Sequence, residues 1–209
     1  MKEKLLTELT ARYPALEPCA EEIKAACQLL SGAIRKGGKI LLAGNGGSCA
    51  DCEHISGELL KGFLSKRPLT EADKLTFAPY ESGAALAEQL QYGIPALPLP
   101  AFSALATAFS NDVEPDAVYA QLIMALGKPE DVFLGLSTSG NAKNVCQAAI
   151  AAKARGLKVI GLTGISGGKL ADLCDCCIRV PEKETFKVQE LHLPVYHCIC
   201  AVLEAEFFQ

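Results

Sequence analysis

The sequence predicts an α/β fold: a three-layer αβα sandwich around a doubly wound, mainly parallel sheet, with helices ahead of it and a long helix closing the chain. Three observations carry this. Short runs that are apolar but for their ends, at 39–43, 131–136 and 158–163, read as strands buried on both faces, as parallel sheets require. Polar turns rich in Gly or Ser follow them, and then segments with apolar residues at helical spacing, so strand and helix alternate. Right-handed crossovers between parallel strands then place helices on both sheet faces. At 209 residues, half of them hydrophobic and 21% charged, the chain suffices for one domain with a sizeable core. We therefore expect a single domain over 1–209, with 1–36 as an N-terminal helical segment.

The elements follow in order. Residues 1–36 read as two helices separated by Pro14 and Pro18, and Gly37-Gly38 stops the second. A strand at 39–43 leads through a turn at 44–48 into a helix over 49–64. The stretch 65–92 is polar and mixed, with one short helix near 84–90. The apolar run 94–99 is expected as a strand, although Pro95 and Pro98 cannot donate to a ladder. A helix covers 114–127, with Pro115 near its first position. Strand 131–136, turn 137–141 and an alanine-rich helix 142–155 come next, ended by Gly156. Strand 158–163, a turn around Ser166-Gly167-Gly168, a short helix 169–174 and strand 178–180 follow. The chain closes on an apolar helix over 186–207.

Composition excludes several functions. A net charge of -4 without a basic stripe argues against a nucleic-acid binder. The N-terminus, Met1-Lys2-Glu3-Lys4, has no secretory pattern, and no uninterrupted apolar run reaches the roughly 18 residues of a membrane span. Ten cysteines lack the spacing of a disulfide framework and read as small buried apolar groups in a reducing cytoplasm. Cys49 and Cys52 form a C-x-x-C without a second redox motif, and Cys174, Cys176 and Cys177 have no partner pair at zinc-finger spacing.

The chemistry concentrates in the turns 44–48 and 137–141. Both fall at carboxyl ends of strands, where open α/β sheets bind ligands, and each precedes a helix whose free N–H groups favour an anion. Gly44-Asn45-Gly46 begins a dinucleotide fingerprint, but Cys49 stands where its third glycine belongs, and no Gly-Lys-Ser/Thr follows either turn. Ser137, Thr138 and Ser139 offer hydroxyls at a helix start, which suits a phosphate monoester. On the first helix, His54 and Glu58 share a face at i, i+4. Gln189 and His197 lie eight residues apart on the last helix. His192 is read as structural or interfacial.

The motifs G-N-G-G-S at 44–48, His54 with Glu58, S-T-S-G-N at 137–141, L-T-G at 162–164 with Gly167-Gly168, and V-Q-E-L-H at 188–192 leading to His197 resemble those of the phosphoheptose isomerases of the sugar isomerase (SIS) domain superfamily. That resemblance implies conversion of a ketose 7-phosphate, sedoheptulose 7-phosphate, to the aldose D-glycero-D-manno-heptose 7-phosphate. It implies Glu58 as general base and His197 as acid. It implies zinc held by His54, Glu58, Gln189 and His197, and substrate contacts from Asn45, Gly46, Gly47, Asn111, Asp112, Ser137, Thr138, Ser139 and Gln189. Tetramers with sites built between subunits are implied as well. Moving a proton between C1 and C2 through an enediol requires one base and one acid flanking the sugar, and the residue types agree. Two other readings stay open: a non-catalytic SIS module that binds a sugar phosphate and a protein partner, and an isomerase of another phosphorylated sugar. Three features depart from the family pattern: Ala142 stands where a further serine is usual, 64–92 is longer than the corresponding loop, and Pro194 interrupts the last helix, which is expected to bend there.

Overall fold

The computed structural model describes residues 2–208, so Met1 and Gln209, the two ends of the expected domain, lie outside the described residues. Helices α1 (Lys2–Arg12) and α2 (Ala20–Arg35) are joined by a 3₁₀ turn, Pro14–Cys19, that contains both prolines. Then come β1 (Ile40–Ala43), α3 (Gly47–Leu60), α4 (Glu71–Leu75), α5 (Gly83–Ala87), β2 (Ala96–Pro98), α6 (Ser103–Asp112) and α7 (Val118–Leu126). The second half runs β3 (Val132–Ser137), α8 (Lys143–Ala154), β4 (Lys158–Thr163), α9 (Gly168–Leu173), β5 (Cys176–Arg179) and α10 (Thr185–Phe208).

The five strands form one parallel sheet in the order β2-β1-β3-β4-β5. Strand alternation divides the core into two layers. Ile40, Leu42, Leu134, Ile160, Leu162 and Ile178 face the layer packed by α1, α2, α3 and α10. Leu41, Ala43, Phe133 and Val159 face the opposite layer, packed by α7, α8 and α9. This is the expected three-layer α/β sandwich. Because β1 connects to β2 on one side and pairs with β3 on the other, the loops after β1 and β3 diverge and open a crevice between them.

Local differences from the sequence reading have physical causes. Helix α3 stops at Leu60, short of 64. Lys61 turns extended there, and Arg67 returns to donate to the Leu59 carbonyl at 2.7 Å and the Glu58 carbonyl at 3.3 Å. Helices α4 and α6 contain no fully buried residue, so they leave no apolar stripe to reveal them. The C-terminal strand sits at Cys176–Arg179 because Cys176 and Cys177 pair with Ile160 and Gly161, acting as small strand residues. Pro98 within β2, and Pro95 just before it, are tolerated because β2 is an edge strand. Helix α10 runs unbroken through Pro194, which is buried within it. It is long and apolar enough to meet the length and composition of a membrane span, although no single run in the sequence shows this. Its apolar side is spent inside the protein: 61% of the qualifying window is buried, with Val195, Cys200 and Leu203 at 0% exposure among α1, α2 and α3.

Candidate active site

The crevice at the β1/β3 divergence is a cleft of about 270 Å³ lined by Asn45, Gly46, Gly47, Ser48, Leu136, Ser137, Thr138, Ser139, Ala142, Thr185 and Gln189. Another cleft of similar size, between α1, α2 and α10, is lined by Leu6, Cys27, Arg35 and Glu206 and lacks convergent helix N-termini. The β1/β3 crevice, with the N-termini of α3 and α8 converging on it, suits an anionic ligand. Gly46 begins α3 at φ 56°, ψ -122°, a conformation that a side chain would strain. At Gly47 a Cβ would lie 2.4 Å from the Gln189 amide nitrogen, so the missing side chain is what lets α10 lay Gln189 across the loop.

The second wall is held just as tightly. Gly140, at φ 68°, presses against the Gly167 carbonyl, so the 137–141 turn is clamped to the start of α9. Ser137 Oγ accepts from the Ala142 N–H at 3.3 Å and Ser139 Oγ from the Asn141 N–H at 3.1 Å. Each hydroxyl thus keeps its own proton to donate to a ligand. Two residues that the sequence did not mark fix the first wall. Asn45 and Asn144 exchange amide hydrogen bonds at 2.8 and 2.9 Å, and the Tyr119 hydroxyl donates to the Gly44 carbonyl at 3.0 Å. No motif announces them, because Asn144 and Tyr119 reach the loop from α8 and α7 only through the fold.

A second cluster lies further along the same two helices. His54 and Glu58 of α3 approach at 3.3 Å between Nε2 and Oε1, and His54 Nε2 lies 3.4 Å from His197 Nε2 of α10. The two imidazoles meet edge to face, with ring centroids 4.9 Å apart. Lys61 donates to Glu58 Oε2 at 3.2 Å, and the Phe63 ring packs 5.5 Å from the His197 ring. Behind His54, Tyr196 places its hydroxyl 3.0 Å from Nδ1 and 3.2 Å from Asp51 Oδ1. Burial, then the neighbouring His54, hold the His197 imidazole below its ordinary pKa, with Glu58 opposing. Burial raises the Asp51 carboxyl, while the Tyr196 hydrogen bond and His54 pull it back. Burial and Asp51 together push the Tyr196 phenol upward, so it stays a protonated donor.

The predicted residues therefore fall into three places. Asn45, Gly46, Gly47, Ser137, Thr138, Ser139 and Gln189 share the cleft. His54, Glu58 and His197 share the second cluster, and Gln189 lies apart from them, against Gly47. Asn111 and Asp112 sit exposed at the end of α6, bonded to each other at 2.8 Å, and do not line the cleft. The donor chemistry of the cluster suits zinc, and its two short spacings match the roughly 3.3 Å separation of ligands around one tetrahedral ion. Among the described residues, however, no group of three or more His, Cys, Asp or Glu side chains encloses a common metal position. His192, by contrast, is fully buried.

Comparison with known proteins follows the same lines. The SIS domain family model matches residues 6–97 and 80–164. A phosphoheptose isomerase of Rhodospirillum rubrum is 38% identical over 189 residues, covering 90% of this chain and 88% of the relative. One from Aneurinibacillus thermoaerophilus is 39% identical over 175 residues, covering 84% of this chain and 76% of the relative. The structure of the phosphoheptose isomerase from Neisseria gonorrhoeae superposes with a TM-score of 0.73 at 31% identity, covering 94% of each chain. From family model, relatives and fold alike, the chain belongs to the phosphoheptose isomerase family of the SIS-domain superfamily, and is a sugar-phosphate isomerase.

Proposed function

We propose that the chain isomerises sedoheptulose 7-phosphate to D-glycero-D-manno-heptose 7-phosphate, with Glu58 as general base and His197 as acid. The observation that carries this is the placement of both half-sites on one helix pair. Gly47 and Gln189 stand at the phosphate-cradling end of α3 and α10, and His54, Glu58 and His197 stand further along the same helices. Seven residues separate Gly47 from His54, which is about 10 Å along a helix. At about 1.2 Å per bond of extended chain, the eight bonds from C1 to phosphorus in a heptose 7-phosphate reach about 10 Å. A phosphate in the cleft is thus compatible with C1 and C2 of a heptose at the cluster, which supports this reading.

In this reading the Glu58 carboxylate removes a proton from C1 of the ketose, and the C2 oxygen takes a proton from His197 as the enediol forms. Return of a proton to C2, with loss of one from the C1 oxygen, gives the aldose without net oxidation. Thr138 and Ser139 hydroxyls, with the N-termini of α3 and α8, hold the phosphate. Zinc, held by His54, Glu58, Gln189 and His197, would polarise the carbonyl as a Lewis acid. Subunits would assemble as tetramers in the cytoplasm, and Asn111 and Asp112, exposed on α6, would reach a sugar across a subunit contact. The test incubates the purified protein, with and without chelator, with C5 to C7 ketose phosphates, following aldose formation and metal content. Glu58→Gln is expected to lower turnover by roughly 10² to 10⁴ with its fold intact. Full activity in that variant would remove Glu58 from the chemistry.

A further inference from the structure

His54 is held from behind by a chain of polar groups that the isomerase motifs do not contain. Tyr196 is 1% exposed, and its hydroxyl lies between Asp51 Oδ1 at 3.2 Å and His54 Nδ1 at 3.0 Å. Asp51 Oδ2 is buried without any hydrogen-bond partner among the described residues. The Tyr196 hydroxyl donates to the other carboxylate oxygen, Oδ1, and is the one side-chain donor that reaches Asp51 among the described residues. A phenol has one proton. Once it is given to Asp51, the Tyr196 oxygen can only accept, so the hydrogen between Tyr196 and His54 must come from the imidazole. The two rings stand at 72° with centroids 5.4 Å apart.

We propose that Tyr196, braced by Asp51, is a positioning residue that fixes His54 as the tautomer protonated at Nδ1 and turns its Nε2 lone pair toward Glu58 and His197. The functional meaning rests on the reading of His54 as a zinc ligand, for which a neutral ring with a free Nε2 is required. In the metal-free chain Glu58 Oε1, 3.3 Å from Nε2, favours the opposite tautomer, so the position of the proton reports whether the Tyr196–Asp51 line prevails. A carboxylate–tyrosine–histidine line of this kind does for His54 what a carboxylate alone does behind many metal-binding histidines. It sets which nitrogen is basic and removes the freedom of the ring to flip.

Two measurements test this. Long-range ¹H–¹⁵N correlation spectra of the metal-free protein, labelled at its three histidines and assigned with His192→Met and His197→Gln, report the tautomer of each ring directly. The wild-type chain is expected to show His54 protonated at Nδ1, and Tyr196→Phe to return it to the Nε2-protonated form that a free imidazole favours. Zinc dissociation constants from competition with a chromogenic chelator are expected to rise about 10- to 100-fold in Tyr196→Phe. If that variant does not fold, Asp51→Asn, which removes the charge holding the tyrosine proton, is expected to give a mixture of tautomers. A wild-type His54 protonated at Nε2, or a folded Tyr196→Phe with unchanged tautomer and zinc affinity, overturns the proposal. Absence of isomerisation by the wild-type chain would overturn the proposed function instead, since the spectra need neither substrate nor metal.

Discussion

His192 predicts how this fold responds to acid. Its ring is 0% exposed, and neither nitrogen has a hydrogen-bond partner among the described residues. Burial lowers its pKa from 6.5 to about 4, opposed only in part by the Thr163 backbone beside it. The folded chain therefore resists the proton that the unfolded chain accepts readily. Stability from this group is complete above about pH 6.5 and is lost as the pH falls toward 4. Between about pH 7.5 and pH 5 the loss comes to about 2 kcal/mol, taking one pKa unit as about 1.4 kcal/mol. His192→Met, apolar and of similar volume, should keep the fold and lack this loss. Urea unfolding of both proteins at the two pH values, at one fixed concentration because subunit association adds to apparent stability, measures the difference. Parallel losses in wild type and variant would show that His192 is not held neutral, and would refute the reasoning.

Three further outcomes are expected. Arg67 and Glu204 form a fully buried ion pair at 2.9 Å, and Glu204 also accepts from the backbone N–H groups of Phe63, Leu64 and Ser65. Arg67→Met strands that carboxylate and should cost about 3–5 kcal/mol in urea unfolding; a loss below about 1 kcal/mol would count against the pair. Among the ten cysteines, Cys177 is the one whose thiol is held below the ordinary range, by the neighbouring Cys174 thiol first and by Thr163 and Arg179 after it. Because the thiolate is the nucleophile, brief iodoacetamide treatment near neutral pH should alkylate Cys177 first, as read by peptide mapping, and prior labelling of Cys49 would contradict this. Ala142 heads α8 without a side-chain cap and lines the cleft, so Ala142→Ser should add about 1 kcal/mol of stability and lower KM for the phosphorylated substrate. An unchanged KM would place the phosphate elsewhere.

Much of the fold was legible because burial writes itself into the sequence. Strands β1, β3 and β4 are apolar at every core position, and α8 carries alanines where it lies against the sheet and α7. What escaped were elements whose stability is not local. Helices α4 and α6 bury nothing fully, and β5 pairs through cysteines that composition alone marks as a cluster. The stretch 65–92 reads in sequence as polar and mixed with one short helix, yet it is pinned at both ends. Arg67 and Glu204 hold its start, an antiparallel bridge joins Pro68 to Gln91, and Gln91 accepts from the Gly62 N–H at 2.9 Å. A buried arginine is invisible in sequence, because the partner that makes it tolerable lies 137 residues away.

The candidate site was legible to the extent that its chemistry is periodic or adjacent. The i, i+4 pair of His54 and Glu58 and the hydroxyl run 137–139 are local, and the structure places each as the pattern implied. Gln189 and His197 stand eight residues, about 12 Å of helix, apart. Gln189 lies against the anion loop at the bare Cα of Gly47, and His197 meets His54 further along the same helix. Tyr196 is the instructive omission. It stands beside His197 in sequence, on a helix so apolar that one more large residue reads as core, and its burial at 1% bears that out. Only the arrival of Asp51 and His54 from α3 turns its hydroxyl into a hinge between a carboxylate and an imidazole. The polar tip of a buried tyrosine must find a partner, so a tyrosine placed one residue from a motif histidine on a core helix is itself a sequence signal that something behind the site needs a donor.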